Sequence, residues 1–389
     1  MNFTETKTLY DNHVLPTYAR YDVCFARGEG SYLFDDTGKK YLDFSSGIGV
    51  NSIGHAHPKW VAAVAAQAGT LTHTSNLYYT EPGGLLAQKL CELSGLNAVF
   101  FANSGAEANE GLIKAARKYS ADKYDNNRHI VITLNRSFHG RTHTTLAATG
   151  QESFHKHFLP LTPGFVHVDP NDLGALEAQG GDVCAVLLEA VQGEGGVYPL
   201  DKDYVQAVAK LCAERDWLLL FDEVQTGIAR CGTWFGYQQH GVLPDGISFA
   251  KGVAGGFPLG GFILGEKAKG VFAPGLHGAT FGGTPLGCAA ALAALDILSG
   301  VIEDVPRKGK LLRDGIEAFG SPKVHGTRGL GLMIGIAVEG DPKAYVKELL
   351  AHGLVCLYAG SDAVRLLPPL TVSGAEIAEG LSILREVLG

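Results

Sequence analysis

The chain has 389 residues, long enough for two or three domains. With 46% hydrophobic and 19% charged residues it can bury a sizeable core, which excludes disorder as its main state. A formal net charge of −8 at pH 7 gives no overall attraction for polyphosphate backbones, which argues against a nucleic-acid-binding protein.

In chain order, residues 1–50 hold two short alternating segments, Ser31–Phe34 and Lys40–Phe44, around Asp36–Gly38, and read as two strands and a turn. From about residue 98 to 265 short apolar runs alternate with polar or glycine turns: Ala98–Ala102, His129–Leu134, Cys184–Glu189, Trp217–Asp222, Ile247–Ala250 and Gly261–Leu264. Several are continuously apolar, as strands covered on both faces are. Amphipathic stretches such as Ala106–Tyr119 and Tyr204–Glu214 lie between them. This alternation predicts an α/β fold with a mostly parallel central sheet, whose ligands gather at the carboxyl ends of its strands. Residues 285–320 are Ala/Leu-rich and helical; 328–389 mix short strands with a terminal helix, Gly374–Leu388. The expected division is a large domain over 51–285 and a smaller α+β domain built from 1–50 and 286–389.

Glycine is the outlier in composition: 52 residues without a collagen period imply many tight turns and backbone that must approach a ligand closely. The seven cysteines are scattered, odd in number and free of any C-x-x-C pair, which fits buried thiols in a reducing compartment. No apolar run reaches the ~18 residues a membrane helix needs, and the N-terminus lacks the apolar stretch of an export signal. The expectation is a cytoplasmic enzyme that binds no membrane and no nucleic acid.

Three local signals carry chemistry. Asn103-Ser104-Gly105-Ala106-Glu107 follows the run Ala98–Ala102, and the capping-box spacing of Ser104 and Glu107 starts a helix there. Such a start offers free N–H groups to an anion, a phosphate above all, although an ordinary strand–helix junction looks the same. Trp217–Asp222 is an apolar strand closed by an acid that needs a partner if buried. A Walker-type role for that acid requires a G-x-x-x-x-G-K-[ST] loop, which the chain lacks. Lys251 ends another short run in a glycine-rich context, where desolvation would turn a surface amine into an aldehyde-trapping one. His55-x-His57, His139-x-x-x-His143 and His155-x-His157 have metal-ligand spacings and leave a metal hydrolase as an outside alternative. Together, an anion cradle, a strand-end carboxylate and a strand-end amine are what pyridoxal 5′-phosphate requires.

At this point the chain resembles the subgroup III aminotransferases of fold type I over nearly its whole length. The resemblance rests on Arg27-Gly-Glu-Gly30, Gly54-His-Ala-His-Pro58, Asn103-Ser-Gly-Ala-Glu-Ala-Asn109, Ser137-Phe-His-Gly-Arg-Thr142, Glu189-Ala-Val-Gln-Gly-Glu194, Phe221-Asp-Glu-Val-Gln-Thr-Gly227, Ala250-Lys251 and Ala279-Thr-Phe-Gly-Gly-Thr284. Within that group it is most similar to the branch acting on N-acetylornithine and 2-oxoglutarate in arginine biosynthesis. Succinylornithine, ornithine and 4-aminobutyrate are the alternative donors.

The resemblance implies roles. Lys251 would trap the cofactor's aldehyde and move the substrate proton, and Asp222 would keep the ring nitrogen protonated. Glu223 and Val224 would lie against the cofactor, Gln225 would bond the ring's phenolic oxygen, and Phe138 would stack on the ring. Gly105 and Ala106 would offer N–H groups to the phosphate. Thr280 would reach that phosphate from a second subunit, so a homodimer with shared sites is implied. Arg141 would bind the α-carboxylate of the donor and Arg365 that of the oxo acid, with Glu194 neutralising Arg365 between the two. Ala279 stands where a serine is usual, and Ala190 where a proline is. Tyr18 matches a substrate-side tyrosine, whereas Gly47 replaces a tyrosine of the ornithine enzymes and leaves room for an acyl group.

Overall fold

The computed structural model describes residues 1–389. Its centre is a seven-stranded sheet in the spatial order Ala98–Ala102, Gly260–Leu264, Gly246–Phe249, Leu218–Asp222, Val183–Leu188, Ile130–Leu134, Phe165–Val168. Gly260–Leu264 runs antiparallel to both neighbours; every other pairing is parallel. The sequence anticipates six of these strands to within a residue or two. Phe165–Val168 escapes it, because an edge strand of four residues with His167 inside has neither length nor a clean apolar pattern.

The central strands Val183–Leu188 and Leu218–Asp222 are buried along their whole length, which is why they read as unbroken apolar runs. The helix Gly105–Tyr124 crosses one face of the sheet, against Gly246–Phe249 and Gly260–Leu264. Its approach depends on Gly111: a Cβ there would stand 2.2 Å from the Phe262 ring. Helix Lys202–Arg215 packs against Leu218–Asp222.

The two chain ends share a second sheet, since Leu354–Val355 adds in parallel to Lys40–Asp43 beside Phe25–Glu29 and Tyr32–Asp35. A third sheet, from 324 to 366, and the terminal helix Gly374–Leu388 complete that region. Helix Pro285–Ser299 lies instead on Pro58–Ala68 and Glu81–Ser94, with most of its residues in the core. No single helix is long and apolar enough to cross a membrane. All seven cysteines are free thiols.

The topology places the site. Four neighbouring parallel strands end at one edge of the sheet, and their carboxyl ends lead into Lys251, Asp222, Glu189 and the 137–141 loop. Ala98–Ala102 points the same way and delivers Asn103–Ala106 to that edge.

Candidate active site

A cavity of about 460 Å³ opens at this edge, walled by residues that include Ser104, Gly105, Ala106, Phe138, Arg141, Glu189, Asp222, Val224, Gln225 and Lys251. The helix beginning at Gly105 is capped by Ser104, whose Oγ accepts the Glu107 N–H at 3.2 Å. The Glu107 carboxylate turns back to the N–H and side-chain amide of Asn103, at 3.0 and 2.9 Å. The cap therefore leaves the N–H groups of Gly105 and Ala106 to the cavity wall. Gly105 has to be glycine: a Cβ would stand 2.6 Å from Val224 Cγ1.

Asp222 is the best-held charge in the site. Its Oδ2 accepts from Asn109 Nδ2 at 2.7 Å and from the His139 ring at 2.8 Å. Its Oδ1 accepts the Val224 N–H at 3.0 Å and, at 3.3 Å, the Ser248 hydroxyl. Burial alone would raise this carboxyl; His139, the Val224 N–H and the Asn109 amide outweigh burial and hold it below the usual carboxylate range. Neither Asn109 nor His139 is singled out as a partner of Asp222 by the sequence. The signal was present, since a buried acid needs donors and Asn109 lies one helical turn beyond Gly105 on the same helix.

Lys251 opens a short 3-10 turn, Lys251–Ala254, with a left-handed φ of 44°. Strained backbone of this kind is characteristic of functional positions. Burial lowers its amine from the ordinary value, with Asp222 acting in the opposite sense and Arg365 adding to the fall. A lowered amine is a better nucleophile near neutral pH. Phe138 lines the cavity edge-on to Phe154, with centroids 5.9 Å apart. Arg141 stacks on Phe154 at 3.9 Å and has no carboxylate partner.

Arg365 is only 2% exposed and is fully occupied at one nitrogen: Nη1 donates to Glu194 Oε2 at 2.8 Å, to Gly193 O at 3.0 Å and to Gln225 Oε1 at 3.1 Å. Gln225 thus joins the cavity wall to the masked arginine, and its amide nitrogen remains available to a ligand.

Several expected residues lie elsewhere. Glu223 faces away from the cavity, accepting from the Thr226 hydroxyl and the N–H groups of Gly236 and Tyr237 at 2.6–2.8 Å. Tyr18 is 74% exposed and borders a different hollow, beside Tyr10 and Arg20. Thr280 is exposed and Ala279 is held by Asn76 on a separate surface, outside this cavity. Gly47 sits in a left-handed turn, Ser46–Gly49, packed against Lys251–Ala254, and only Val50 from that segment reaches the wall. The histidines with metal spacing are engaged singly: His55 on Asp43, His139 on Asp222, His155 on the Leu146 carbonyl.

Comparison with known proteins fits this geometry. The aminotransferase class-III family profile matches residues 16–388. The chain is 50% identical to the acetylornithine aminotransferase of Haemophilus ducreyi over 394 aligned residues, covering 100% of this chain and 99% of that one. It is 46% identical to that of Methanocaldococcus jannaschii, over 96% and 95% of the two. Among solved structures, the ornithine aminotransferase of Toxoplasma gondii superposes with a TM-score of 0.95 at 30% identity, over 100% and 95% of the chains. N-acetylornithine aminotransferase from Stenotrophomonas maltophilia gives 0.85 at 36% identity, over 98% and 97%. The chain is a class-III aminotransferase.

Pyridoxal 5′-phosphate is the cofactor of this enzyme, and the wall fits it. Only a glycine at 105 admits the close contact with Val224 beside the anion-binding helix start. A carboxylate held ionised by its donors suits a protonated ring nitrogen, and the Lys251 amine makes no hydrogen bond that would compete for an aldehyde. When bound, the cofactor supplies the electron sink that lets a proton leave the substrate carbon. Lys251, on the same wall, would be the amine within the cavity to take that proton and return it, and Phe138 and Val224 line it with apolar surface.

Proposed function

We propose that this aminotransferase moves the δ-amino group of N-acetylornithine to 2-oxoglutarate, giving N-acetylglutamate semialdehyde and glutamate. The observation that carries this reading is the contrast between its two arginines. Arg141 stands at the cavity wall without an acid partner, ready to take the donor's α-carboxylate through a bidentate pair. Arg365 is masked by Glu194, which suits a donor whose δ-amine end carries no carboxylate; displacement of Glu194 opens Arg365 to a dicarboxylic oxo acid. Gly47 supports an acylated donor, because the turn it occupies packs against Lys251–Ala254 and it adds no side chain there. Relatives named acetylornithine aminotransferase at 45–50% identity agree with it.

The reading extends to assembly and setting. The exposed Leu77, Tyr78, Tyr79 and Phe281 form an apolar face suited to a second copy. Thr280, exposed beside Phe281, would then serve the phosphate in the neighbouring cavity, and the enzyme would work as a homodimer in the cytoplasm, in arginine biosynthesis. Sedimentation of the active enzyme as a monomer would contradict the shared site. The activity is tested by following glutamate formation from N-acetylornithine and 2-oxoglutarate. Lys251→Ala should reduce it to background, and a variant with normal turnover would remove the basis of the assignment.

A further inference from the structure

Two carboxyls share the cavity wall. Asp222 and Glu189 follow adjacent parallel strands in register, Phe221 opposite Leu188, so they emerge side by side. Their donors are divided unequally. Asp222 has four: the Asn109 amide, the His139 ring, the Val224 N–H and the Ser248 hydroxyl. Glu189 has fewer and only backbone donors: the Phe138 N–H, 3.1 Å from Oε2, and the Gly193 N–H; no side chain donates to it.

Like charges held close in a site shielded from water do not both ionise, and the proton settles on the acid with fewer donors. The cations within reach do not change that division. Lys251 acts on both acids, and more strongly on Asp222, Arg365 is tied to Glu194, and Arg141 stacks on Phe154. Burial first, then Asp222, push the Glu189 carboxyl well above its ordinary range, against the opposing pull of the Phe138 N–H, Lys251 and the Gly193 N–H.

We infer that Glu189 is the neutral acid of this site: it accepts the Phe138 N–H with Oε2 and presents Oε1–H to the cavity as a donor for an oxygen or nitrogen of the bound cofactor or substrate. Environments that separate two carboxyls in this way assign one the charge and the other the proton. The inference needs the cofactor cavity but not the identity of the amino donor. It also sets two acids with different partners on one stretch of chain, because Glu189 starts the segment that ends at Glu194, which is paired with Arg365.

The test is an infrared difference spectrum of the cofactor-loaded enzyme, wild type minus E189Q, near pH 8. A carboxylic-acid carbonyl band in the wild type that E189Q lacks is the expected result. Carboxylate bands in its place would overturn the inference. If E189Q does not fold, the same difference taken with Glu189→Ala answers the question. The visible band of the lysine-bound cofactor provides a second readout, titrated against pH in wild type and E189Q. Removing a neutral group leaves its midpoint in place; a midpoint lowered by about one unit or more would mean that a negative charge had been lost, and would also overturn it. A wild-type enzyme that forms no band at all would count against Lys251 instead, so the two failures are distinguishable.

Discussion

Replacing Glu194 with alanine removes the acid that masks Arg365. The ion pair is 2.8 Å long, with Arg365 2% and Glu194 34% exposed. Fully exposed pairs contribute ~0–1 kcal/mol, and truncating a buried one costs ~3–5 kcal/mol. A pair with one partner a third exposed falls between, at about 1–2 kcal/mol, or a factor of about 5–30. On the proposed roles, 2-oxoglutarate would have to displace Glu194 before its carboxylate reached Arg365, so that energy would be subtracted from oxo-acid binding. In Glu194→Ala the KM for 2-oxoglutarate should therefore fall by roughly 5–30-fold. Gly193 O and Gln225 Oε1 still hold the guanidinium in place. Glutamate should improve as an amino donor by a similar factor, and the donor half-reaction with N-acetylornithine should gain nothing. Stopped-flow absorbance of each half-reaction separates these effects. A KM for 2-oxoglutarate that stays constant or rises would refute the masking role.

Arg141→Ala removes the partner expected for the donor's carboxylate. Charge-assisted hydrogen bonds are worth ~1.5–3 kcal/mol, so the KM for N-acetylornithine should rise by about 10–100-fold while cofactor affinity holds. Gly105→Ala sets a methyl against Val224, 2.6 and 2.9 Å from its two Cγ atoms. Overpacking of about 1–3 kcal/mol should weaken pyridoxal phosphate binding roughly tenfold or more, and Val224→Ala in the same chain should recover part of it. Burial raises Glu223 from 4.5 to about 7, so the folded chain keeps a proton there that the unfolded chain has lost. That contribution, roughly 3 kcal/mol, is present below pH 4.5 and disappears as pH rises through about 7. The Tm of wild type relative to Glu223→Gln should fall between about pH 5 and pH 8, and a constant difference would contradict it.

The strands that build the site were legible because burial on both faces writes itself as continuous apolar sequence, and strand-end acids and amines stand out against it. Lys251, Asp222, Val224, Gln225, Phe138 and the start at Gly105 converge on one cavity, as the motifs suggested. Glu223 is the instructive exception. Consecutive residues of an extended chain point to opposite sides, so with Asp222 facing the cavity its neighbour faces away. His139 read as half of a metal pair because spacing ignores direction; the fold aims its ring at Asp222. Tyr18 and Thr280 lie outside the cavity of their own chain, and no local pattern records where an exposed arm or loop meets another surface. The hydrogen bonds of Asn109 and Glu189 join segments 113 and 51 residues apart. Periodicity has no access to contacts of that range.

The measurement closest to the central claim is a visible spectrum of the cofactor-loaded enzyme before and after N-acetylornithine, with no oxo acid present. The lysine-bound cofactor's band should be lost stoichiometrically on adding the donor, return with 2-oxoglutarate, and respond far more weakly to free ornithine. A band that survives N-acetylornithine but is lost with ornithine would contradict the assignment of the donor.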